Sequence, residues 1–456
     1  MFDIIILGGG PGGYVAAIRG AQLGANVALV EANDLGGTCL NRGCIPTKAM
    51  LASIDKLEAV KNAADFGIEV TGFNVDFNKL QERKDKVVEQ LVKGVGFLIK
   101  KNKVKLFKGF GSFLNANDIE VKSAEGTEVI SGKNIIIATG SEPLVFDAFN
   151  YDGVDIITSD EALNLEQVPA SMLIVGGGVI GCEFATVYNA LGSKITIVEG
   201  LAHILPMVDK EVATRLQSFL KRKGITIKTK AMIKELVKTP EGVKAVMEDS
   251  EIMAEKVLIS VGRKVSSKGF GLDKTGVEVG KKGEILINDN LQTSVPHIYA
   301  IGDVTNKVLL AHVASSQGIV AVQNIMGKKT EMDYSVVPNC IFTKPEVASV
   351  GMTAQECKDA QIKTKVGKFN FIASGKALAM GETDGMVKII ASGQNDVVLG
   401  VHIIGPHASD LIAEAAVAVQ QKLTLGELAG IIHAHPTLAE TMMEAAEQGL
   451  GMAIHM

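Results

Sequence analysis

An α/β protein with two Rossmann-like units and a C-terminal α+β region is the fold this chain predicts, and three observations carry it. A short apolar strand near the N-terminus runs into a glycine-rich turn, a helix, a second strand and an acid. The same order returns 168 residues later, with Gly176 in the place of Gly8. Beyond about Val337 the pattern changes to alternating strands and helices rich in Ala and Met, which marks a separate region.

Composition agrees with this division. A chain of 456 residues has room for about three domains, and its 49 glycines suit many tight βα turns. The net charge of −5 leaves no electrostatic footprint for nucleic acid, and no basic arm or polybasic stripe is present. Five cysteines in so long a chain do not make a secreted disulfide scaffold, so Cys182, Cys340 and Cys357 read as small buried apolar groups. The chain opens directly on a strand and has no long charge-free apolar segment, so a cytoplasmic protein without a membrane partner is expected.

In order along the chain, Phe2 to Leu7 forms an apolar strand that ends in Gly8-Gly9-Gly10-Pro11-Gly12-Gly13. A helix over Tyr14 to Leu23 and a strand over Asn26 to Val30 follow, closed by Glu31. This order suits a dinucleotide: Gly8 permits the tight turn, Gly10 lets the backbone approach a pyrophosphate, and Gly13 allows close helix packing. Glu31 can accept hydrogen bonds from a ribose diol.

Cys39 and Cys44 then lie five residues apart in Gly36–Lys48. On an undistorted helix their Cα atoms would stand roughly 8.6 Å apart, beyond disulfide reach. A bridge therefore needs a distorted turn, for which Gly43 supplies backbone freedom and Pro46 removes a helical N–H. Strain of that kind makes a bridge easier to reduce. Two unrelated buried cysteines or a zinc pair are the other readings. Zinc favours shorter spacings and further ligands, and none lies nearby, so no metal is expected.

A helix follows from Pro46, and another spans Lys79 to Lys101, whose charges Glu82, Lys84, Asp85, Lys86 and Glu89 read as a solvated face. Lys108 to Gly111 reads as a turn. The strand Ile135 to Ala138 ends at Thr139-Gly140-Ser141. The second copy runs from Met172 through Gly176-Gly177-Gly178-Val179-Ile180-Gly181 to Glu199, and the acid follows the last glycine by 18 residues in both copies. No Arg or Lys occurs between Glu199 and Lys210, which favours a free ribose 2′-hydroxyl, hence NAD over NADP. That segment ends near Ser260-Val261-Gly262-Arg263. A strand over Thr293 to Asp303 places an acid able to bond a polyol, and Leu310-Ala311-His312 opens a helix. Near the end, Pro436 biases His435 to an extended backbone and lets Glu440 turn back on its imidazole, the arrangement of a general base.

On these residues the chain resembles the pyridine nucleotide–disulfide oxidoreductases over essentially its whole length. Gly36 to Lys48 matches the family's redox stretch, Thr139-Gly140 and Thr293 to Asp303 match its FAD signatures, and His433 to Glu440 is similar to its HAHPT-type ending. Arg42 departs from a small apolar position, and Thr47 stands where Ser is common.

The resemblance implies that the first unit binds FAD. Its contacts would be Gly8, Gly10, Gly13 and Glu31 in the glycine unit, and Gly37, Thr38 and Lys48 in the redox stretch. Gly111, Thr139, Gly140, Ser141, Asp303 and Ala311 would complete them. NAD would lie on Gly176, Gly178, Val179, Ile180, Gly181, Glu199 and Gly262. The resemblance also implies roles: Cys39 as interchange thiol, Cys44 as the thiol nearer the flavin, His435 as base, Glu440 as its orienting acid, and Lys48 with Glu183 as a flavin-side ion pair.

The implied activity is reoxidation of protein-bound dihydrolipoamide through a Cys39–Cys44 disulfide, with hydride passing to NAD⁺. The implied partners are a second copy of the chain, in which the base reaches the partner's disulfide, and the lipoyl domains and core of 2-oxo acid dehydrogenase complexes or the lipoyl H protein of glycine cleavage. Expected boundaries are 1–145 and 273–337 for the FAD-binding part, 146–272 for the NAD-binding part and 338–456 for dimerisation. A related reductase acting on another low-molecular-weight thiol or on mercuric ion is the alternative. A non-catalytic, redox-responsive binding protein is the rival from another class.

Overall fold

The computed structural model describes residues 1–455. The first sheet runs in the order Lys105–Lys108, Val27–Glu31, Phe2–Leu7, Gly126–Ile137, Asp118–Ser123, Phe110–Phe113. Its central pairings are parallel, including Ile298–Ala300 against Gly126–Ile137. The outer strands form an antiparallel meander. Ile4, Ile5, Ile6, Ile135, Ile136 and Ile137 are fully buried, as continuous apolar runs require when helices cover both faces of a parallel sheet.

Helix α1 (Pro11–Gln22) starts directly after the glycine turn with Pro at its first position, where the missing N–H costs nothing. It packs on the helix Ala311–Ile325 with almost no space between them, since a Cβ on Gly318 would stand 2.6 Å from the Gly12 carbonyl oxygen. The second sheet, Thr226–Thr229, Lys194–Glu199, Ser171–Val175, Lys256–Ile259, Ile156–Ile157, is parallel throughout. A separate three-stranded antiparallel sheet, Glu235–Thr239 to Glu251–Ala254, accompanies it. Between the two units Ser141–Pro143 pairs with Arg263–Val265.

The C-terminal region is a five-stranded antiparallel sheet in the order Asn339–Ile341, Glu346–Gly351, Val398–Gly405, Met386–Ser392, Thr364–Asn370. The helices Ala408–Gln420 and Glu440–Gly449 share its core through Ile412, Ala415, Met442 and Ala445.

Four expectations need correction. Lys108 to Gly111 is not a turn: the strands Lys105–Lys108 and Phe110–Phe113 run to either side of Gly109 alone, at φ +155°. Lys84 is not on a solvated face: it is 3% exposed, and its Nζ donates to Leu163 O and Asn164 Oδ1, both at 2.8 Å. Periodicity missed this because the partners lie in the second unit, on which the helix α4 (Phe77–Lys101) docks. Thr293 to Asp303 is a strand only over Ile298–Ala300; Asp303 sits in a 3-10 turn, Gly302–Thr305, entered through Gly302 at φ +72°. Cys340 is half-buried rather than buried.

Candidate active site

The redox stretch folds as two helices meeting at a bend. Helix α2 (Gly37–Arg42) carries Cys39 and ends at Gly43, and helix α3 (Cys44–Lys61) starts with Cys44. Thr47, 4% exposed, fastens the bend by donating its hydroxyl to Gly43 O at 2.7 Å, and Asn41 Nδ2 ties α2 to Leu35 O and Gly37 O. The broken helix thus supplies the distorted turn that the spacing demands. Both cysteines stand as free thiols, joined by a side-chain hydrogen bond that splits their acidities. The bond lowers Cys44 to about 7 against the cost of burial, with the Lys48 cation helping. The same bond, with burial, pushes Cys39 up. One proton on Cys39 and a thiolate on Cys44, at a helix N-terminus, is the favoured arrangement.

Lys48 lies one turn along α3. Its Nζ meets both carboxylate oxygens of Glu183 at 2.9 Å and stands 4.4 Å from the centre of the Phe342 ring. Glu183, 4% exposed, also accepts the Phe342 N–H at 2.9 Å. Three regions of the chain therefore converge on the cation that favours the Cys44 thiolate.

The two glycine units share one hydrogen-bond pattern. Glu31 accepts from Gly9 N at 2.5 Å and from Asn33 N at 2.8 Å; Glu199 accepts from Gly177 N and from Leu201 N, both at 2.7 Å. Gly8 and Gly176 adopt φ +103° and +105°, a backbone that favours glycine. A Cβ on Gly13 would stand 1.8 Å from Gly8 O, and one on Gly181 2.2 Å from Gly176 O. A Cβ on Gly10 would meet nothing closer than 3.9 Å, and one on Gly178 nothing within 4 Å. Each loop is thus closed toward its own helix and open outward, a cradle that fits a pyrophosphate beside a carboxylate suited to ribose.

Around the first cradle, Gly37 comes so near Gly10 that a Cβ on it would lie 2.7 Å from the Gly10 Cα, which places α2 and Thr38 beside the loop. Gly111 lies on the strand Phe110–Phe113 against Leu7 and Val30. Asp303 Oδ2 accepts from Ser141 Oγ at 2.5 Å, and Arg263 donates through Nε to Ser141 Oγ at 2.6 Å and through Nη2 to Ser141 O at 2.7 Å. Thr139 Oγ1 donates to Ser266 O, and Gly140 adopts φ +72°. Ala311 opens its helix, while the buried Gln317 on the same helix accepts Gly302 N at 2.6 Å. In the second unit Val179 and Ile180 begin the helix Val179–Ala190, and Gly262 adopts φ +133°.

His435 and Glu440 meet as expected: the imidazole Nδ1 is 2.8 Å from Oε1, while Oε2 accepts the Thr437 N–H at 2.8 Å. Burial raises the Glu440 carboxyl, but the Thr437 and His435 hydrogen bonds outweigh it and hold it below its ordinary value. The His435 side chain is 80% exposed. Lys48 and Glu183 stand among the groups that shift the cysteine pair, and among the described residues no hydrogen bond joins His435 to Cys39 or Cys44.

The sequence reading passed over Phe342, Gln317 and the role of Arg263. Arg263 follows a strand-end glycine, which is a usable signal. Phe342 has none, its partner Glu183 lying 159 residues away. Arg42 reaches Asp160 at 3.8 Å, toward the second unit.

Paired glycine cradles flanking a dithiol define a nucleotide-dependent disulfide oxidoreductase, and the chain belongs to that family. Residues 2–318 match the pyridine nucleotide-disulphide oxidoreductase model, and residues 337–446 match its dimerisation domain. Its cofactors are FAD and NAD. Among its relatives, dihydrolipoyl dehydrogenase of Bacillus subtilis is 44% identical over 100% of this chain and 99% of its own length. The enzyme of the same name from Chlamydia muridarum is 43% identical over 100% and 98%. The crystal structure of LpdA from Mycobacterium tuberculosis superposes with a TM-score of 0.92 at 27% identity, covering 98% of this chain and 99% of that one. Among the described residues no helix is long and apolar enough to cross a membrane.

Proposed function

We propose that this chain is a homodimeric dihydrolipoyl dehydrogenase that oxidises protein-bound dihydrolipoamide and reduces NAD⁺. The observation that carries the reading is the Cys39–Cys44 pair at the bend between α2 and α3, beside the Lys48–Glu183 ion pair; full-length relatives of that name support the substrate. FAD, when bound on the first cradle, supplies the two-electron carrier between the cysteine pair and the nicotinamide.

The chain's own groups do the rest. His435, held through Nδ1 by Glu440, presents Nε2 to take the proton of a substrate thiol. The substrate thiolate attacks Cys39 in the oxidised pair and releases Cys44 as a thiolate, a good leaving group because its acidity is raised. Attack by the second substrate thiol on the mixed disulfide releases lipoamide and leaves Cys39 and Cys44 reduced. Lys48 neutralises negative charge beside Cys44. In the proposed homodimer the base serves the partner's cysteines, a reading supported by the match to the family's dimerisation domain. We assign 1–145 and 273–337 to FAD, 146–272 to NAD and 338–456 to dimerisation, the last residue, Met456, lying outside the described structure. Lipoyl domains and the core of a 2-oxo acid dehydrogenase complex, or a lipoyl H protein, are the proposed physiological partners.

Steady-state turnover tests this, comparing dihydrolipoamide with glutathione and NAD⁺ with NADP⁺, with Cys44→Ser as control. Fast NAD⁺ reduction by dihydrolipoamide, abolished in the control, is expected. Preferential use of NADPH with another disulfide would leave the residue roles standing and reassign the substrate.

A further inference from the structure

We propose that His433 and Glu414 form a positioning pair for the base, anchoring the loop that carries His435. The inference rests on the reading of His435 and Glu440 as base and orienting acid.

Two histidines, two residues apart, are built in opposite ways. The His433 side chain is 5% exposed, with Nδ1 2.8 Å from Ile431 O and Nε2 2.8 Å from Glu414 Oε1. A carbonyl and an ionised carboxylate both accept and neither donates, so the two contacts are satisfied together only when the ring carries a proton on each nitrogen. Moving one of those protons onto Glu414 leaves the count unchanged: the pair holds one proton more than a neutral imidazole beside a carboxylate. His435 is 80% exposed, bonded through Nδ1 alone, and its Nε2 has no hydrogen-bond partner among the described residues. The first ring is thus committed to donating, while the second keeps a lone pair with which to accept a proton.

Glu414 lies on the helix Ala408–Gln420, whose Ile412, Ala415 and Ala418 are buried in the C-terminal core. His433 therefore fastens the 431–439 loop to a rigid element, through a charge-assisted bond stronger than a neutral one. The Thr437 hydroxyl, donating to Ala434 O at 2.7 Å, braces the same loop from within. The groups gathered here are Glu414 on one helix, Glu440 on the next, His433 and His435 on the loop, and Glu444 with His455 one turn beyond Glu440 at 2.6 Å. Glu440 lies in the field of both histidines, and each helps hold its carboxyl below its ordinary value. Both histidines thus help keep the acid ionised.

The test uses Glu414→Gln and Glu414→Ala in the full-length flavoprotein, with His435→Gln beside them. Glu414→Gln keeps an acceptor oxygen but removes the charge that holds the extra proton. Both Glu414 variants are expected to lower kcat with dihydrolipoamide about tenfold, the low end for losing a hydrogen bond to a charged group, with KM little changed. NADH oxidation by ferricyanide requires no proton abstraction by His435 and should be unchanged, as should flavin content and dimer mass. Unaltered kcat would overturn the proposal. So would a parallel loss of ferricyanide turnover or flavin, which would make the pair a general support of the fold. If His435→Gln itself kept full dihydrolipoamide turnover, the underlying reading of the base would fail whatever the Glu414 variants did.

Discussion

At the scale of single residues, the chemistry depends on which of two neighbouring thiols gives up its proton. Cys39 and Cys44 are both half-buried, and burial alone would raise both. The hydrogen bond between them breaks that symmetry, and the Lys48 cation adds to the bias toward a Cys44 thiolate. In the protein reduced by a dithiol, alkylation of Cys44 by iodoacetamide should rise with pH through a midpoint near 7. Lys48→Met removes the favourable charge and leaves Glu183, which raises Cys44, uncompensated, so the midpoint should move to higher pH. An unmoved midpoint would show that the hydrogen bond acts without the ion pair.

At the scale of elements, the repeated strand–turn–helix–strand unit is used twice with the same internal geometry and different neighbours. Gly13 and Gly181 are equivalent within their own units, since a Cβ on either would collide with the carbonyl of the turn's first glycine. Overlap of this kind must be relieved by shifting backbone, which opens the cradle. Gly13→Ala should yield protein without bound flavin. Gly181→Ala should stay yellow and lose affinity for NADH by at least tenfold in equilibrium titration, corresponding to about 1.4 kcal/mol. If both variants lost flavin together, the assignment of one nucleotide to each unit would be wrong. The bend between α2 and α3 belongs to the same scale. Spacing alone called for a broken helix, and Gly43 with the Thr47 hydroxyl provides it.

At the scale of the whole molecule, the second nucleotide unit is held from two sides by buried lysines. Lys84 reaches it from α4, and Lys388 on the C-terminal sheet bonds Asp209 at 2.8 and 2.9 Å, where Asp209 caps the helix Lys210–Arg222. Lys388→Met would strand a buried carboxylate, at a cost of about 3–5 kcal/mol, and lower the Tm at pH 7. Burial raises the Asp209 carboxyl, but the hydrogen bond to Lys388 and the neighbouring charges outweigh it and hold it down. A carboxylate depressed in the folded state contributes stability that is complete above its unfolded value, about 4, and lost as pH falls through the folded value. The Tm gap between wild type and variant should therefore be widest at neutral pH and narrow below about pH 4. A gap independent of pH would show that lost packing, rather than the charge pair, is responsible.

Much of this was legible in the residues because local features depend on neighbours along the chain. The two glycine units, their closing acids Glu31 and Glu199, the need for a distorted turn at Gly43 and the return of Glu440 onto His435 all involve separations of at most 22 residues, or a repeat of the same motif. Periodicity and turn chemistry act over that range. Where the chain had to meet itself across 79 to 162 positions, local pattern was silent or misleading. Lys84 looked solvated because its partners Leu163 and Asn164 belong to another unit, and nothing near Phe342 announces that it would close the Lys48–Glu183 pair. The hydroxyl of Ser141 finds Asp303 and Arg263 only once the two units are docked. Which thiol ionises follows from burial and long-range charge. Those quantities do not exist until the tertiary structure has set the distances.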